Sequence, residues 1–174
     1  MKKEMQQNDK EQDFQHIIHP FEPFFNAQSK ILIVGSFPSV ASRADGFYYG
    51  NPHNRFWKVL AAIFKDNVPI QISEKKDFLN RHKIALYDSI NECTISGSSD
   101  SSIRNVVPSD IKSIVKNSQI KTIFANGKTA EKFFIKYQNT ELCAMLKVLP
   151  STSPANAAFS LGKLLQTWKL ITDD

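Results

Sequence analysis

The 174-residue sequence predicts an α/β fold, a three-layer α/β/α sandwich with a central, mainly parallel sheet. Two observations carry this. Short apolar runs alternate with stretches of helical periodicity, the pattern that repeated βαβ units leave in a sequence. The runs are apolar at successive positions, as strands covered on both faces must be. With 41% hydrophobic residues the chain can bury a core, and its length suits one domain.

The elements follow in order. Residues 1–15 are rich in Lys, Glu, Gln and Asp and have little to bury, so a solvated tail is expected there. A single domain then runs from 16 to 174. Ile31, Leu32, Ile33 and Val34 form an apolar strand that ends at Gly35. From Arg55 to Phe64 a helix places Phe56, Leu60, Ile63 and Phe64 on one face, with Trp57 beside them. Lys83 to Asp88 reads as a second strand. Ser109 is in place to cap a short helix reaching Lys116. Lys121 to Ala125 is a third strand, and Asn126-Gly127 turns it into a helix from Lys128 to Tyr137. Lys147 to Leu149 is the last strand, and a closing helix spans Ser160 to Ile171.

Composition narrows the function. A net charge of +5 favours polyanionic partners, because lysines and arginines on phosphates release condensed counterions. The only cysteines, Cys93 and Cys143, lie far apart, so a four-thiolate zinc or iron–sulfur site within one chain is excluded. One disulfide is arithmetically open, but two buried free thiols are the expectation. No apolar run spans a bilayer, and the first 16 residues lack the apolar stretch of a secretory signal. A cytoplasmic protein without a membrane partner is expected.

In parallel α/β folds the site lies beyond the carboxyl ends of the strands. Three segments there stand out. Gly35-Ser36-Phe37-Pro38-Ser39 follows the first strand and reads either as a phosphate cradle or as a plain strand-ending turn. It has neither the lysine of a P-loop nor a G-x-G-x-x-G pattern. Residues 46–57, GFYYGNPHNRFW, crowd aromatic rings and asparagines before a helix. Aromatic faces stack on bases, and asparagine offers a donor and an acceptor without charge. Residues 149–156, LPSTSPAN, form a proline-stiffened loop of hydroxyls and an amide, fit for gripping phosphate or wedging into a duplex, or simply for connecting two elements.

Taken together, GSFPS, GFYYGNPHNRFW and LPSTSPAN resemble the hypoxanthine-DNA (DNA-deoxyinosine) glycosylases, a branch of the uracil-DNA glycosylase superfamily. The NRFWK portion is also similar to the mismatch-specific uracil glycosylases. The likeness extends through IALYDSINEC, the segment Gly97–Ile103 and FANGKTAEKFF. It implies a uracil-DNA glycosylase-like fold and a monofunctional enzyme that hydrolyses the N-glycosidic bond of a flipped-out deaminated base, hypoxanthine foremost. Such an enzyme acts in base excision repair, on double-stranded DNA, as a monomer, with no metal and no cofactor.

The resemblance also implies roles. In the superfamily the residue at the position of Phe37 often handles the attacking water, which a phenyl ring does not do. That role falls to Asn54, with Asn51 in reserve; Asn54 is equally placed to cap the helix that follows. Ser36, Phe37, Tyr49, Asp88 and Asn126 are implied to surround the base. Tyr49 would stack on it and Asp88 would read its edge, although Asp88 also suits a capping or salt-bridged carboxylate. Ser39, Ser151, Ser153, Pro154 and Asn156 are implied to contact DNA. No lysine in these motifs is placed for a Schiff base, so no lyase step is expected. Rival readings are a uracil or mismatch-specific glycosylase, an inactive lesion-binding module, and a nucleotide-binding protein that uses GSFPS.

Overall fold

The structure is a computed structural model and describes residues 13–173. Its strands are β1 (Phe14–Ile18), β2 (Ile31–Gly35), β3 (Ile84–Asp88), β4 (Ile90–Ser96), β5 (Arg104–Pro108), β6 (Thr122–Asn126) and β7 (Leu146–Leu149). Its helices are α1 (Val40–Asp45), α2 (Phe56–Phe64), α3 (Ile72–Arg81), α4 (Ile111–Lys116), α5 (Lys128–Tyr137), α6 (Thr140–Ala144) and α7 (Leu161–Trp168), the last extended by a 3-10 turn, Lys169–Asp173.

β2, β3, β6 and β7 form a parallel sheet in the order β3-β2-β6-β7. β2 and β3 are buried at every position, which is why both read as unbroken apolar runs. The main core gathers around them: Phe56, Trp57 and Leu60 of α2, Phe78 and Leu79 of α3, Phe134 of α5 and Trp168 of α7. All of these lie under 9% exposed and most at zero. At roughly 25 cal/mol per Å² of apolar surface removed from water, these large side chains dominate the stability.

A second sheet had no counterpart in the sequence reading. β1, β4 and β5 pair antiparallel in the order β1-β4-β5. The chain passes into it directly from β3, through Ser89, whose amide donates to Gly35 O. Its apolar side forms a smaller core in which Ile90, Cys93 and Ile95 meet Phe37 and Phe133, so the sheet leans on α5.

Three local expectations need correction. Phe14 and Gln15, read as the end of the tail, already belong to β1, opposite Ser96 and Ile95; residues 1–12 of the expected tail lie outside the described residues. Asp110, not Ser109, caps α4: its carboxylate accepts from Ser113 N at 3.0 Å, whereas Ser109 is buried. An exposed carboxylate at a helix start also meets the helix dipole favourably, which a buried hydroxyl does not. Cys93 is buried but Cys143 only partly so, and both are free.

The strand order places the topological switch point between the carboxyl ends of β2 and β6. Register lines those ends up: Gly35 faces Asp88, Val34 faces Ala125 and Asn126 faces Leu149.

Candidate active site

A cavity of about 190 Å³ opens at this switch point. Pockets for drug-sized ligands run to roughly 300–1,000 Å³, so the space suits a single heterocycle. Its walls come from the turn after β2, the segment before α2, the ends of β3 and β6, the loop after β7 and the turn after β4.

Gly35 opens the first wall. A Cβ at this position would run into Asp88 Oδ1, so only glycine lets the carboxylate sit against the end of β2. Ser36 Oγ donates to Asp100 Oδ1 at 3.0 Å. Phe37 is 8% exposed and belongs to the smaller core, reaching the cavity from beneath. Ser39 caps α1 by accepting from Ser42 N, and Ser42 Oγ accepts from Gly50 N at 3.0 Å, fastening the aromatic segment to α1.

The asparagines form a connected set. Asn54 Oδ1 accepts from Phe56 N at 3.0 Å, at the start of α2, and from Thr152 Oγ1 at 2.8 Å. Thr152 Oγ1 in turn accepts from Asn126 Nδ2 at 2.9 Å, while Asn126 Oδ1 accepts from Thr152 N at 3.0 Å. The backbone donors settle which end of each amide is oxygen. Asn51 Oδ1 is likewise occupied, by His53 N at 2.9 Å. Asn51 and Asn54, both lining the cavity, therefore keep amide donors available; the Asn54 oxygen accepts twice and the Asn51 oxygen once.

Tyr49 sits at φ +54°, a left-handed conformation rare for a bulky residue. Its ring stacks on Phe56, centroids 3.7 Å apart and planes 16° from parallel. The hydroxyl is buried and makes no hydrogen bond of good geometry, though the Asn126 amide is close enough to weigh on its acidity. Burial pushes the phenol well above its ordinary value, and the Asp88 carboxylate adds to this. The hydroxyl keeps its proton.

Asp88 lies on the cavity floor, 5% exposed. Its Oδ2 meets His19 Nε2 at 2.8 Å, both side chains nearly sealed from solvent. Phe21, Phe37, Tyr48 and Tyr87 pack around the imidazole with ring centroids 4.7–6.1 Å away. Opposite, the turn after β4 brings in Asp100. That turn is tied to the first wall by Val40 N donating to Ser98 Oγ at 2.9 Å, and by Arg43, which donates to Pro38 O and Gly97 O. Asp100 is exposed as a residue, but its carboxyl lies on the cavity wall. Lost solvation raises it above its ordinary value, the Ser36 bond opposes this, and the Asp88 charge adds to it. Beneath, burial pushes the Cys93 thiol up to about 11.

The last wall is the loop after β7. Arg55 pins it by donating to four carbonyls, those of Thr152, Ser153, Asn156 and Phe159. Gly127, at φ +94°, lets Ser151 pack where a Cβ would come within 2.8 Å of it. Ser151, Ser153 and Pro154 line the cavity. Asn156 does not; it donates to Ser151 O at 3.0 Å and shapes the loop from within.

Every residue named from the sequence thus reaches the cavity except Asn156. Sequence reasoning missed His19, Asp100 and Thr152. His19 sits in a stretch without a motif. Asp100 lies in the segment Gly97–Ile103, which belongs to the likeness but was given no role there. Thr152 was inside a recognised motif, but only its complete burial distinguishes it from the serines beside it. Among the described residues no group of three or more His, Cys, Asp or Glu side chains is placed to hold a metal ion.

Comparison with known proteins agrees with this geometry. Two curated hypoxanthine DNA glycosylases are similar to the chain. The one from Methanosarcina acetivorans is 32% identical over 147 residues, covering 82% of this chain and 90% of its own. The one from Methanosarcina barkeri is 30% identical over 141 residues, covering 78% and 86%. A solution NMR structure from Methanosarcina acetivorans, described as a candidate uracil DNA glycosylase, superposes with a TM-score of 0.73 at 27% identity, covering 90% of this chain and 99% of that one. The family model of the uracil DNA glycosylase superfamily matches residues 22–171, and with a parallel sheet whose strand ends build a base-sized cavity, this chain belongs to that superfamily.

Proposed function

We propose that the chain is a monofunctional DNA glycosylase that removes hypoxanthine from deoxyinosine in DNA. The observation that carries this is the cavity floor, where an acceptor, Asp88, lies beside the hydroxyl of Tyr49, which keeps its proton and has no good partner of its own. Hypoxanthine presents N1–H next to a C6 carbonyl. Asp88 accepts the former, and Tyr49 or a cavity amide donates to the latter. Adenine presents a lone pair at N1, which a carboxylate repels, so the floor itself separates the lesion from its parent base. The hypoxanthine glycosylases of the two Methanosarcina species support the same substrate.

The base must leave the stack to be read, at a cost of a few kcal/mol that is smaller at a mispair. Ser39 and the stiff loop of Ser151, Ser153 and Pro154, which line the cavity, take the backbone of the extruded nucleotide in this reading. Breaking the bond leaves positive charge on the sugar and negative charge on the base. Hydrogen bonds at the floor stabilise the departing base, and the free amides of Asn54 and Asn51 hold the water or the leaving group by donation. None of the residues lining the cavity is a lysine, so capture is by water, not by an amine.

Single-turnover base release from duplexes carrying deoxyinosine, deoxyuridine or deoxyxanthosine tests the reading. Hypoxanthine is expected to be released fastest, and the Asn54→Ala variant to lose about 100-fold or more in rate while still binding the duplex. Uracil, whose N3–H lies between two carbonyls, is the second reading, favoured by the structural neighbour. Faster release of uracil establishes it instead.

A further inference from the structure

A glycosylase that hydrolyses needs a group to take a proton from the attacking water, and the hydrogen bonds of this cavity leave few atoms able to do so. Phe37 has no polar atom. The carbonyl oxygen of Asn54 already accepts twice, and that of Asn51 accepts from His53 N. Ser36 Oγ donates to Asp100, the other serine hydroxyls accept from backbone amides, and all are weak bases in any case. Two carboxylates remain. Asp88 is buried, bound to His19, and already assigned to the base edge by the proposed function. Asp100 also lines the cavity and is exposed as a residue. Its Oδ1 is held by Ser36 Oγ at 3.0 Å, and its Oδ2 carries no hydrogen bond among the described residues.

We infer that Asp100, carried by the turn after β4, is the catalytic base that orients and deprotonates the attacking water, with Ser36 as its positioning residue; this rests on the glycosylase reading above. The C1′–N9 bond breaks with its electron pair going to the base. The water oxygen bonds to C1′ and gives its proton to Asp100 Oδ2, which later passes it to solvent. The departing purine anion takes a proton from solvent, so the net change is the addition of one water across the bond. Before the water attacks, the ionised carboxylate also faces the positive charge building on the sugar and stabilises it.

The turn that carries this carboxylate is tied to the first wall just before Asp100, at Gly97 by Arg43 and at Ser98 by Val40 N. The charged and titratable groups around Asp100 come from three other places: Asp88 at the end of β3, Cys93 of β4 and Arg43 of α1. Lost solvation raises its pKa above the ordinary carboxylate value, the Ser36 bond opposes this and the Asp88 charge adds to it.

The test is single-turnover base release from a deoxyinosine duplex, followed from acid to neutral pH, for the wild-type full chain, Asp100→Asn and Ser36→Ala. A working base must be ionised, so the wild-type rate rises with pH through the Asp100 pKa. Asp100→Asn is expected to lose about 100-fold or more in rate, to keep its affinity for the duplex, and to lose the acid limb. Ser36→Ala removes a bond that lowers that pKa, so its acid limb moves to higher pH, a shift readable even if Asp100→Asn folds poorly. Undiminished release by Asp100→Asn, or an acid limb unchanged in both variants, overturns the assignment while leaving the glycosylase reading intact. No release of any base by the wild type overturns both.

Discussion

Tyr49 combines two features that folding by itself disfavours. A left-handed backbone at a bulky residue costs of order 1–3 kcal/mol, and a buried hydroxyl without a good partner costs about as much again. Both are understandable if the hydroxyl is kept for a ligand. Tyr49→Phe is therefore expected to leave the melting temperature unchanged or raise it slightly, while lowering single-turnover release about fivefold, the value of one hydrogen bond. Unchanged release would show that the ring alone serves the base. The opposite behaviour is expected at His19. Truncating it to alanine strands a buried carboxylate, Asp88, at a cost of about 3–5 kcal/mol. Adding Asp88→Asn to that variant should recover part of the loss, since a neutral amide is cheaper to bury unpaired; a thermal melt of the three variants decides it. At this scale the sequence was informative where chemistry broke a pattern. Tyr49, Asn51 and Asn54 are conspicuous because aromatic and amide side chains crowd the approach to a helix. His19 is invisible because its meaning lies in a partner 69 positions away, and only the fold supplies that partner.

Among the elements, the loop after β7 shows how a connector is made rigid without regular structure. Arg55, at the head of α2, reaches across to carbonyls spread from Thr152 to Phe159, and Trp168 of α7 adds a bond from its indole to Pro150 O at 2.9 Å. Arg55→Ala should loosen the loop, destabilise the protein by roughly 2 kcal/mol and lower base release, with faster amide exchange confined to residues 150–159. Arg55→Lys should not restore activity, because an ammonium lacks the planar fork that serves several carbonyls at once; full rescue by lysine would reduce Arg55 to a mere charge. Thr152→Val, by contrast, leaves Asn54 and Asn126 each short of a partner, so release should fall and Thr152→Ser should restore it. Strands β2, β3 and β6 could be read because burial on both faces makes them nearly continuous apolar runs, whereas β7, at the edge of the sheet, is half exposed and was legible mainly from its place before Pro150. The antiparallel sheet could not. β1 and β5 are largely exposed, β5 ends in proline, and the register shifts between β4 and β5 around Glu92 break the alternation that would mark a half-buried strand.

For the molecule as a whole, charge separates into two regions with different tasks. The chain carries a net +5, yet the cavity holds two carboxylates and neither lysine nor arginine. The positive exterior attracts the phosphate backbone from any direction and carries no sequence information. On the proposed mechanism, the two carboxylates act only after the nucleotide has entered, on the cationic sugar and the base edge. Binding and chemistry should then respond differently to salt. Two phosphate contacts are enough to weaken binding of undamaged duplex about tenfold between roughly 50 and 200 mM salt. The single-turnover rate at saturating enzyme should hardly move over the same range, because charges enclosed with the substrate are poorly screened. Measuring both on one deoxyinosine duplex distinguishes the two regions. If the rate falls in step with affinity, the mouth stays open to ions during the reaction and the carboxylates act through solvent. If affinity alone falls, the cavity closes on the nucleotide, and its carboxylates work in the shielded environment that gives them their catalytic strength.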